Sequence, residues 1–260
     1  MSTLTSYASA AARDSAAPAA SSTGLCIFRS DTKAIEVSDG TNYLTYNNDG
    51  FAAVYSSNSY SGFFDGTNDY IDLGSVSQFN SASDLSICFY VRFSALPSAG
   101  SFIVSSGSSF SNNLDVFSVG NKIRARYSGS STVVQTSSSF SLNTWYHVAY
   151  VKSGTSSTIY IDGTSDATGT GASTTTSTAG NSLKIGDSPH TSPYRFSGYL
   201  DEVFGFDYAL SSAQVSNIVN NYSYTSPTFA IRLENDVTDA SGNYNGTNNG
   251  VTFSTSEKPY

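Results

Sequence analysis

Charged side chains are scarce in this chain, 12% of its 260 residues, and a helical protein laced by surface ion pairs needs more of them. Ser, Thr, Asn, Gly and Tyr take their place, which is a composition of strands and polar turns. Basic residues are scarcer than acidic ones, 12 against 20, and the net charge of -8 would repel phosphate backbones and anionic lipid. Nucleic acid is therefore not an expected partner. No apolar run reaches the roughly 18 residues of a bilayer span, so membrane insertion is not expected either. The opening MSTLTSYASAAARDSAAPAA carries neither a basic start nor an apolar h-region, and Sec-type export is not indicated. Cysteine occurs only at Cys26 and Cys88, too few for a disulfide framework and at no zinc or redox spacing. Both read as reduced packing residues, and a bacterial cytoplasm suits them as the place of synthesis. Histidine occurs only at His147 and His190, and no zinc spacing, phosphate loop or nucleophile elbow accompanies them.

What is present points to β structure. With 38% apolar residues, 18 Tyr and 16 Phe, the chain can fill the core of one large β domain with appendages. Leu85, Ile87, Phe89, Val91 and Phe93 alternate with polar or small residues, the pattern of a long half-buried strand. Further strands are read at 102–104, 114–119, 122–127, 133–135, 145–152, 157–162, 183–186 and 199–206, a recurrence that points to a sandwich. One helix interrupts them, Ser211 to Asn220, with Ser211 as N-cap and Val215, Ile218 and Val219 facing inward. Gly169 to Gly171 lies in a Thr/Ser tract and reads as loop. The stretch Phe63–Leu73 reads as strand, turn, strand, because Asp65-Gly66 is a hairpin-type pair between aromatic and β-branched flanks.

The N-terminal quarter is organised differently. Residues 1–23 form an Ala/Ser-rich arm with a helix expected from Ser6 to Ala17, ended by Pro18; it is either an unstructured leader or an arm that orders on a partner subunit. Residues 24–46 hold three short β runs divided by Ser30–Lys33 and Asp39–Asn42, and a strand-like stretch Phe51–Tyr55 follows within the linker to residue 60. The run resembles a small β-meander near the N-termini of many tailed-bacteriophage structural proteins. A sheet this small needs cover from a neighbour, which implies attachment or oligomerisation.

A more specific resemblance covers residues 63 to 219. FFDGTNDYIDLG, DLSICFYVRF, NTWYHVAYVKSGTSSTIYIDG, KIGDS and FSGYLDEVFGFDYALSSAQVSNI follow the order and spacing of the laminin-G-like branch of the concanavalin A-like lectin/glucanase jelly rolls. The resemblance implies an all-β sandwich whose signature residues here are Asp65, Gly66, Asp69, Tyr70, Trp145, His147, Asp162, Gly163, Gly198, Asp201 and Glu202. Pentraxin relatives bridge two strands with a disulfide, but here Cys88 faces Ala149, so that bridge cannot form. The C-terminal residues from Phe229 to Phe253 resemble the segment that in this family precedes the opening stretch; they either close the same sandwich or are donated to a neighbour. The implied layout is an arm at 1–23, an attachment meander and linker at 24–60, a jelly roll at 61–226, and closing strands at 227–260.

For function, hydrolases of this fold place a Glu-x-Asp-x-x-Glu series on one strand, and nothing here matches it. Asp201 and Glu202, being adjacent, point to opposite faces and read as a turn-locking hydrogen bonder and a surface carboxylate; no enzyme is expected. His147 reads as structural. Many relatives hold calcium at the sheet rim, where Asn112, Asn113 and Asp115 fall at the matching loop and Asp187 can approach from another; these are either Ca²⁺ ligands or solvated turn residues. Abundant Tyr and Asn make an aromatic sugar platform available, with Tyr194, in the 192–195 loop, as the residue to test. Together the two resemblances imply a phage virion protein, a tail fibre, appendage or head-decoration subunit, attached to other virion proteins through residues 1–60. It would be a homo-oligomer, a trimer for a fibre, displaying a lectin-like domain toward host glycan. A bacterial surface lectin or adhesin is the alternative and a glycoside hydrolase the remote one.

Overall fold

The structure, a computed structural model, describes residues 58–109, 112–129, 131–175, 180–189, 194–221 and 224–259, together with four short strands nearer the N-terminus. Cα packing divides the chain into two units, Met1–Asn58 with Asn217–Ser226, and Ser59–Ser216 with Pro227–Tyr260.

The first unit holds a four-stranded sheet of β1 (Thr5–Tyr7), β2 (Cys26–Arg29), β3 (Ala34–Ser38) and β4 (Tyr43–Tyr46), in that order. β2 to β4 form the antiparallel meander read from the sequence, while β1 adds to β2 in parallel. Ser6 and Tyr7 are thus in a strand, where a helix was expected from Ser6 to Ala17. A thin apolar stripe gives an isolated helix little to hold it, whereas the edge of β2 offers backbone partners. The remainder of that segment, and Phe51–Tyr55, lie outside the described residues.

The second unit is a two-sheet sandwich, with strands numbered along the chain. One sheet runs β14 (Thr164–Thr170), β13 (Ser156–Ile161), β12 (Trp145–Ser153), β7 (Asp84–Phe93), β16 (Ser197–Phe206), β5 (Ser61–Asp65) and β19 (Thr252–Ser254), with β17 (Phe229–Ile231) also on β16. We refer to it as the eight-stranded sheet. The seven-stranded sheet runs β11 (Val134–Gln135), β10 (Lys122–Tyr127), β9 (Asn112–Val119), β8 (Ser101–Ser109), β15 (Leu183–Ile185), β6 (Tyr70–Asp72) and β18 (Thr247–Asn249). The five alternating apolar residues of β7 all enter the core between the sheets, as do Ile103, Leu114, Val116 and Ile123 of the other sheet. Each such side chain contributes about 1.5–3 kcal/mol on burial.

Phe63–Leu73 is not a hairpin. β5 and β6 belong to different sheets, so the chain arches over the edge of the sandwich. Asp65 Oδ1 accepts the N–H groups of Thr67 and Asn68 at 2.7 and 3.3 Å, and the Asp69 carboxylate accepts the N–H of Asp65 at 2.9 Å. These bonds shape the corner, while Phe64 and Ile71, both fully buried, drive the two arms into the same core. The C-terminal strands form a second arch beside the first: β18 pairs with β6 and β19 with β5, so one segment covers an edge of each sheet. The two arches meet closely, since a Cβ on Gly250, at φ +88°, would fall 2.2 Å from Asp69 Oδ1.

Elsewhere local chemistry and structure agree. Asp162 and Gly163, at φ 49° and 81°, make the tight turn between β13 and β14. The Gly169-Thr170 stretch, read as loop, is the end of β14; its polar residues carry no alternating signal, and pairing of Gly169 with Ser157 makes it a strand. The single α-helix of the described residues, α1 (Ser212–Asn221), starts with a capping box: Ser211 Oγ accepts the N–H of Gln214 at 3.2 Å and Gln214 Oε1 accepts that of Ser211 at 2.8 Å. Val215 and Ile218 of α1 are buried and Val219 is half-buried.

Candidate functional site

Strand register builds a row of aromatic residues on the outer face of the eight-stranded sheet. Trp145 of β12 lies opposite Arg92 of β7, Arg92 opposite Tyr199 of β16, and Tyr199 opposite Phe63 of β5. Because directly paired residues share a face, these four side chains lie side by side across neighbouring strands. The Trp145 and Tyr199 rings are 6.4 Å apart, the Tyr199 and Phe63 rings 4.9 Å, and the Arg92 guanidinium sits 5.2 Å over Tyr199. Glu257, beyond β19, approaches Arg92 at 3.4 Å, so the C-terminal segment supplies a carboxylate to the row. Trp145, Tyr199 and Phe63 are all partly exposed. At the usual strand spacing the row spans about 14 Å. Sequence reasoning had Trp145 only as a strand signature and placed no candidate at Tyr199 or Phe63, since the row exists only once four strands are in register.

One step along the same face, His147 pairs with Tyr90, which pairs with Asp201. The His147 ring packs edge-on against Tyr90 at 4.9 Å, and burial pushes its imidazole down to about 3. Both ring nitrogens are buried without a hydrogen-bond partner, so the ring is a neutral packing element. Its backbone N–H donates to Asp162 Oδ1 at 2.8 Å, which ties the β13–β14 turn to β12. The register shifts between Asp201 and Phe204, and Glu202 takes φ 47° within this bulge. Asp201 Oδ1 accepts the N–H of Glu202 at 2.9 Å, the turn-locking role expected of it. Glu202 is not a surface carboxylate. It is 5% exposed, and Arg232 grips it through Nε at 3.1 Å and a terminal nitrogen at 2.8 Å. The bulge turns Glu202 toward the Arg232 that follows β17, an arrangement strict alternation cannot anticipate. Cys88, opposite Ala149 as read from the sequence, is free and buried, and burial raises its thiol pKa.

The outer face of the seven-stranded sheet carries a different row, in which Arg126, Asp115, Ser105, Lys184, Asp72 and Thr247 succeed one another across six strands. Asn112, Asn113 and Asp115 belong to β9 and not to a loop, and the side chain of Asn112 lies outside the described residues. The Asp115 carboxylate is fully buried; it accepts Ser105 Oγ at 2.6 Å, Asn113 Nδ2 at 2.9 Å and Arg126 Nε at 2.7 Å. Asp187 is flanked by Arg195 Nε at 3.4 Å and Lys184 Nζ at 3.8 Å. Calcium takes six to eight oxygen ligands, whereas the Asp115 carboxylate accepts nitrogen and hydroxyl donors and Asp187 lies between two cationic side chains. The Asp115 and Asp187 carboxylates therefore do not fit the ion. No group of three or more His, Cys, Asp or Glu among the described residues is arranged to hold a metal. Tyr194 lies on this side, half-buried, with its ring 6.4 Å from that of Phe102 and its carbonyl accepting the Phe102 N–H at 2.8 Å. It stands apart from the aromatic row, and His190 lies outside the described residues.

Comparison with solved structures finds the same fold in proteins of low sequence identity. A candidate carbohydrate-binding protein from Bacteroides ovatus superposes with a TM-score of 0.62 at 16% identity, over 90% of this chain and 70% of that one. Domain 4 of AbnA, a GH43 extracellular arabinanase from Geobacillus stearothermophilus solved with arabinotriose, gives 0.52 at 16% identity, over 67% of this chain and 84% of the domain. The native heptameric SAP-like pentraxin of Limulus polyphemus gives 0.48 at 15% identity, over 76% of this chain and 95% of that one. None of the curated proteins compared with the chain matches it. The Laminin_G_3 family model, described as the concanavalin A-like lectin/glucanases superfamily, matches residues 65–216, from the corner of the first arch into α1. With that match over more than half its length, on an all-β sandwich, the chain belongs to this laminin-G-like family of concanavalin A-like lectin/glucanase domains.

Proposed function

We propose that the sandwich is a carbohydrate-binding module, and that the Trp145–Arg92–Tyr199–Phe63 row is its binding surface. The observation that carries this reading is the row itself: partly exposed rings in cross-strand register, with Arg92 among them and Glu257 beside it. Sugar rings present apolar C–H faces that pack on aromatic rings, and hydroxyls that hydrogen-bond to planar polar groups. The fold shared with an arabinotriose-bound domain makes oligosaccharides the first probes. Binding is favoured over hydrolysis because Glu202 is committed to Arg232 and Asp201 to its own backbone turn. Titration of the full chain with oligosaccharides selected on a glycan array tests the reading. Binding that falls at least tenfold on Trp145→Ala supports it. An array without ligands sinks it, and turnover of β-glucans lost on Glu202→Gln would make the chain a hydrolase.

The setting we propose is a tailed-phage particle, with residues 1–60 attaching a homo-oligomeric subunit to other virion proteins and the sandwich displayed toward host glycan. The antiparallel β2–β4 meander, the part of the chain that resembles phage structural proteins, supports this. A bacterial surface lectin is the second reading, favoured by the fold this chain shares with the Bacteroides ovatus protein. Mass spectrometry of purified particles separates the two. Absence of the chain from particles, with its presence in bacterial envelopes, would favour the lectin.

A further inference from the structure

We infer that Glu257 sets the charge selectivity of the aromatic row, so that the row takes uncharged oligosaccharides and turns away uronate- and sialate-bearing ones; the inference rests on the binding reading above. Arg92 is the one cation among the four residues of the row. A guanidinium set between Trp145 and Tyr199, and held over the Tyr199 ring, is the group a sugar carboxylate would seek. Glu257 already stands there, its carboxylate 3.4 Å from a terminal nitrogen of Arg92. That position is built by the chain after β19. The Glu257 carbonyl accepts the Ser61 hydroxyl of β5, and its N–H donates to Ser254 Oγ at 3.3 Å. Both backbone groups of the residue are thereby fastened to the paired β5 and β19, and its side chain reaches inward to Arg92 of β7.

The two side chains are 15% and 36% exposed, and an ion pair this open contributes little to stability. Its consequence falls on what approaches. An arriving carboxylate must displace Glu257 or lie beside it, two anions contending for one cation on a chain of net charge -8. At the far end of the row, Asp65 lies two residues beyond Phe63 on β5, exposed, its carboxyl held below the ordinary 3.8 by the Thr67 N–H. A neutral sugar meets no such repulsion. Its hydroxyls can donate to Glu257 and can accept from Arg92, since a guanidinium carries five N–H donors and Glu257 approaches one of its nitrogens.

The test places the full native chain and Glu257→Gln on one array that presents neutral glycans beside their uronate- or sialate-bearing counterparts. At low salt the native chain is expected to bind the neutral members at least tenfold more tightly. That ratio should shrink as salt rises, because screening blunts the repulsion. Glu257→Gln is expected to melt within about 3 °C of the native chain and to narrow the low-salt ratio at least tenfold. Equal native affinity for both classes overturns the inference, as does a native preference for acidic glycans or one indifferent to salt, and these need no variant. A folded Glu257→Gln chain with an unchanged ratio, or with no binding left, also overturns it. Glycans bound by neither chain would instead overturn the binding reading itself, which marks that failure off from this one.

Discussion

The two outer faces of the sandwich are built by the same rule and put to opposite ends. Each is a row of directly paired residues running across the strands, yet one leaves aromatic rings partly exposed and the other buries the Arg126–Asp115 pair at one end. On the eight-stranded face, Trp145, Tyr199 and Phe63 have ring neighbours within the row. On the seven-stranded face, Phe102 and Phe117 are buried, and Arg126 stacks on both while holding Asp115. A β-sheet offers its outer face no intrinsic role. Whether its polar groups find partners among themselves decides between partly exposed rings and a buried ion pair.

The sharpest way to break this contrast is to remove what both faces share. Deleting residues 247–260 strips β18 and β19 from an edge of each sheet and takes Glu257 from the aromatic row. Aggregation in light scattering is expected; a soluble chain with unchanged melting would show that the second arch closes nothing. Next in size is Phe117→Ala on the seven-stranded face, expected to cost about 3–5 kcal/mol in denaturant unfolding and to leave glycan affinity as it was.

Acid provides the third comparison. The His147 imidazole is held near 3 in the folded chain, against 6.5 ordinarily. Between those values the unfolded chain binds a proton that the folded chain refuses. Stability is therefore whole above 6.5 and falls with decreasing pH, approaching about 1.4 kcal/mol per pH unit. Asp239 acts lower. Burial alone would raise its pKa, but donation from Ser241 Oγ and from the N–H groups of Ala230, Tyr244 and Ser241 outweighs that and holds it below the ordinary 3.8. Its contribution is whole above that ordinary value and lost as pH falls through the depressed one. Melting between pH 6.5 and 4.5 thus samples the His147 range, and His147→Phe should flatten that part of the curve. The smallest stability effect is expected for Tyr199→Ala, which should shift unfolding by no more than about 1 kcal/mol while weakening oligosaccharide binding about tenfold. Equal losses of stability and affinity would mean that the row is packing and not a surface.

Much of the sandwich was legible because its signals are local. The β7 alternation, the Asp162-Gly163 turn and the Ser211 to Gln214 capping box each depend on neighbours within a few residues. The illegible parts are nonlocal. Asp65-Gly66 looks like a hairpin turn, but whether the next strand pairs with the last or crosses to the other sheet depends on where Phe64 and Ile71 find a common core. Alternation also assigns charged residues to solvent. Lys152 is nonetheless fully buried, its Nζ donating to the carbonyls of Ser83, Gly154 and Ser173 at 2.8, 2.5 and 2.7 Å and lying 4.9 Å from the Tyr127 ring. Those carbonyls come from three separate loops, and no spacing in the chain announces them.

By itself, then, the sequence determined the class of fold, the positions of most strands and the family signature, because period, turn chemistry and caps act over a few residues. Tertiary structure alone decided that Phe63–Leu73 is an arch, that Glu202 is gripped by Arg232, that Asp115 is matched by Arg126, and that Trp145, Tyr199 and Phe63 form one row. Each of these depends on which strands lie side by side and in what register. That register is set by burial of the whole core, which no single stretch of the chain contains.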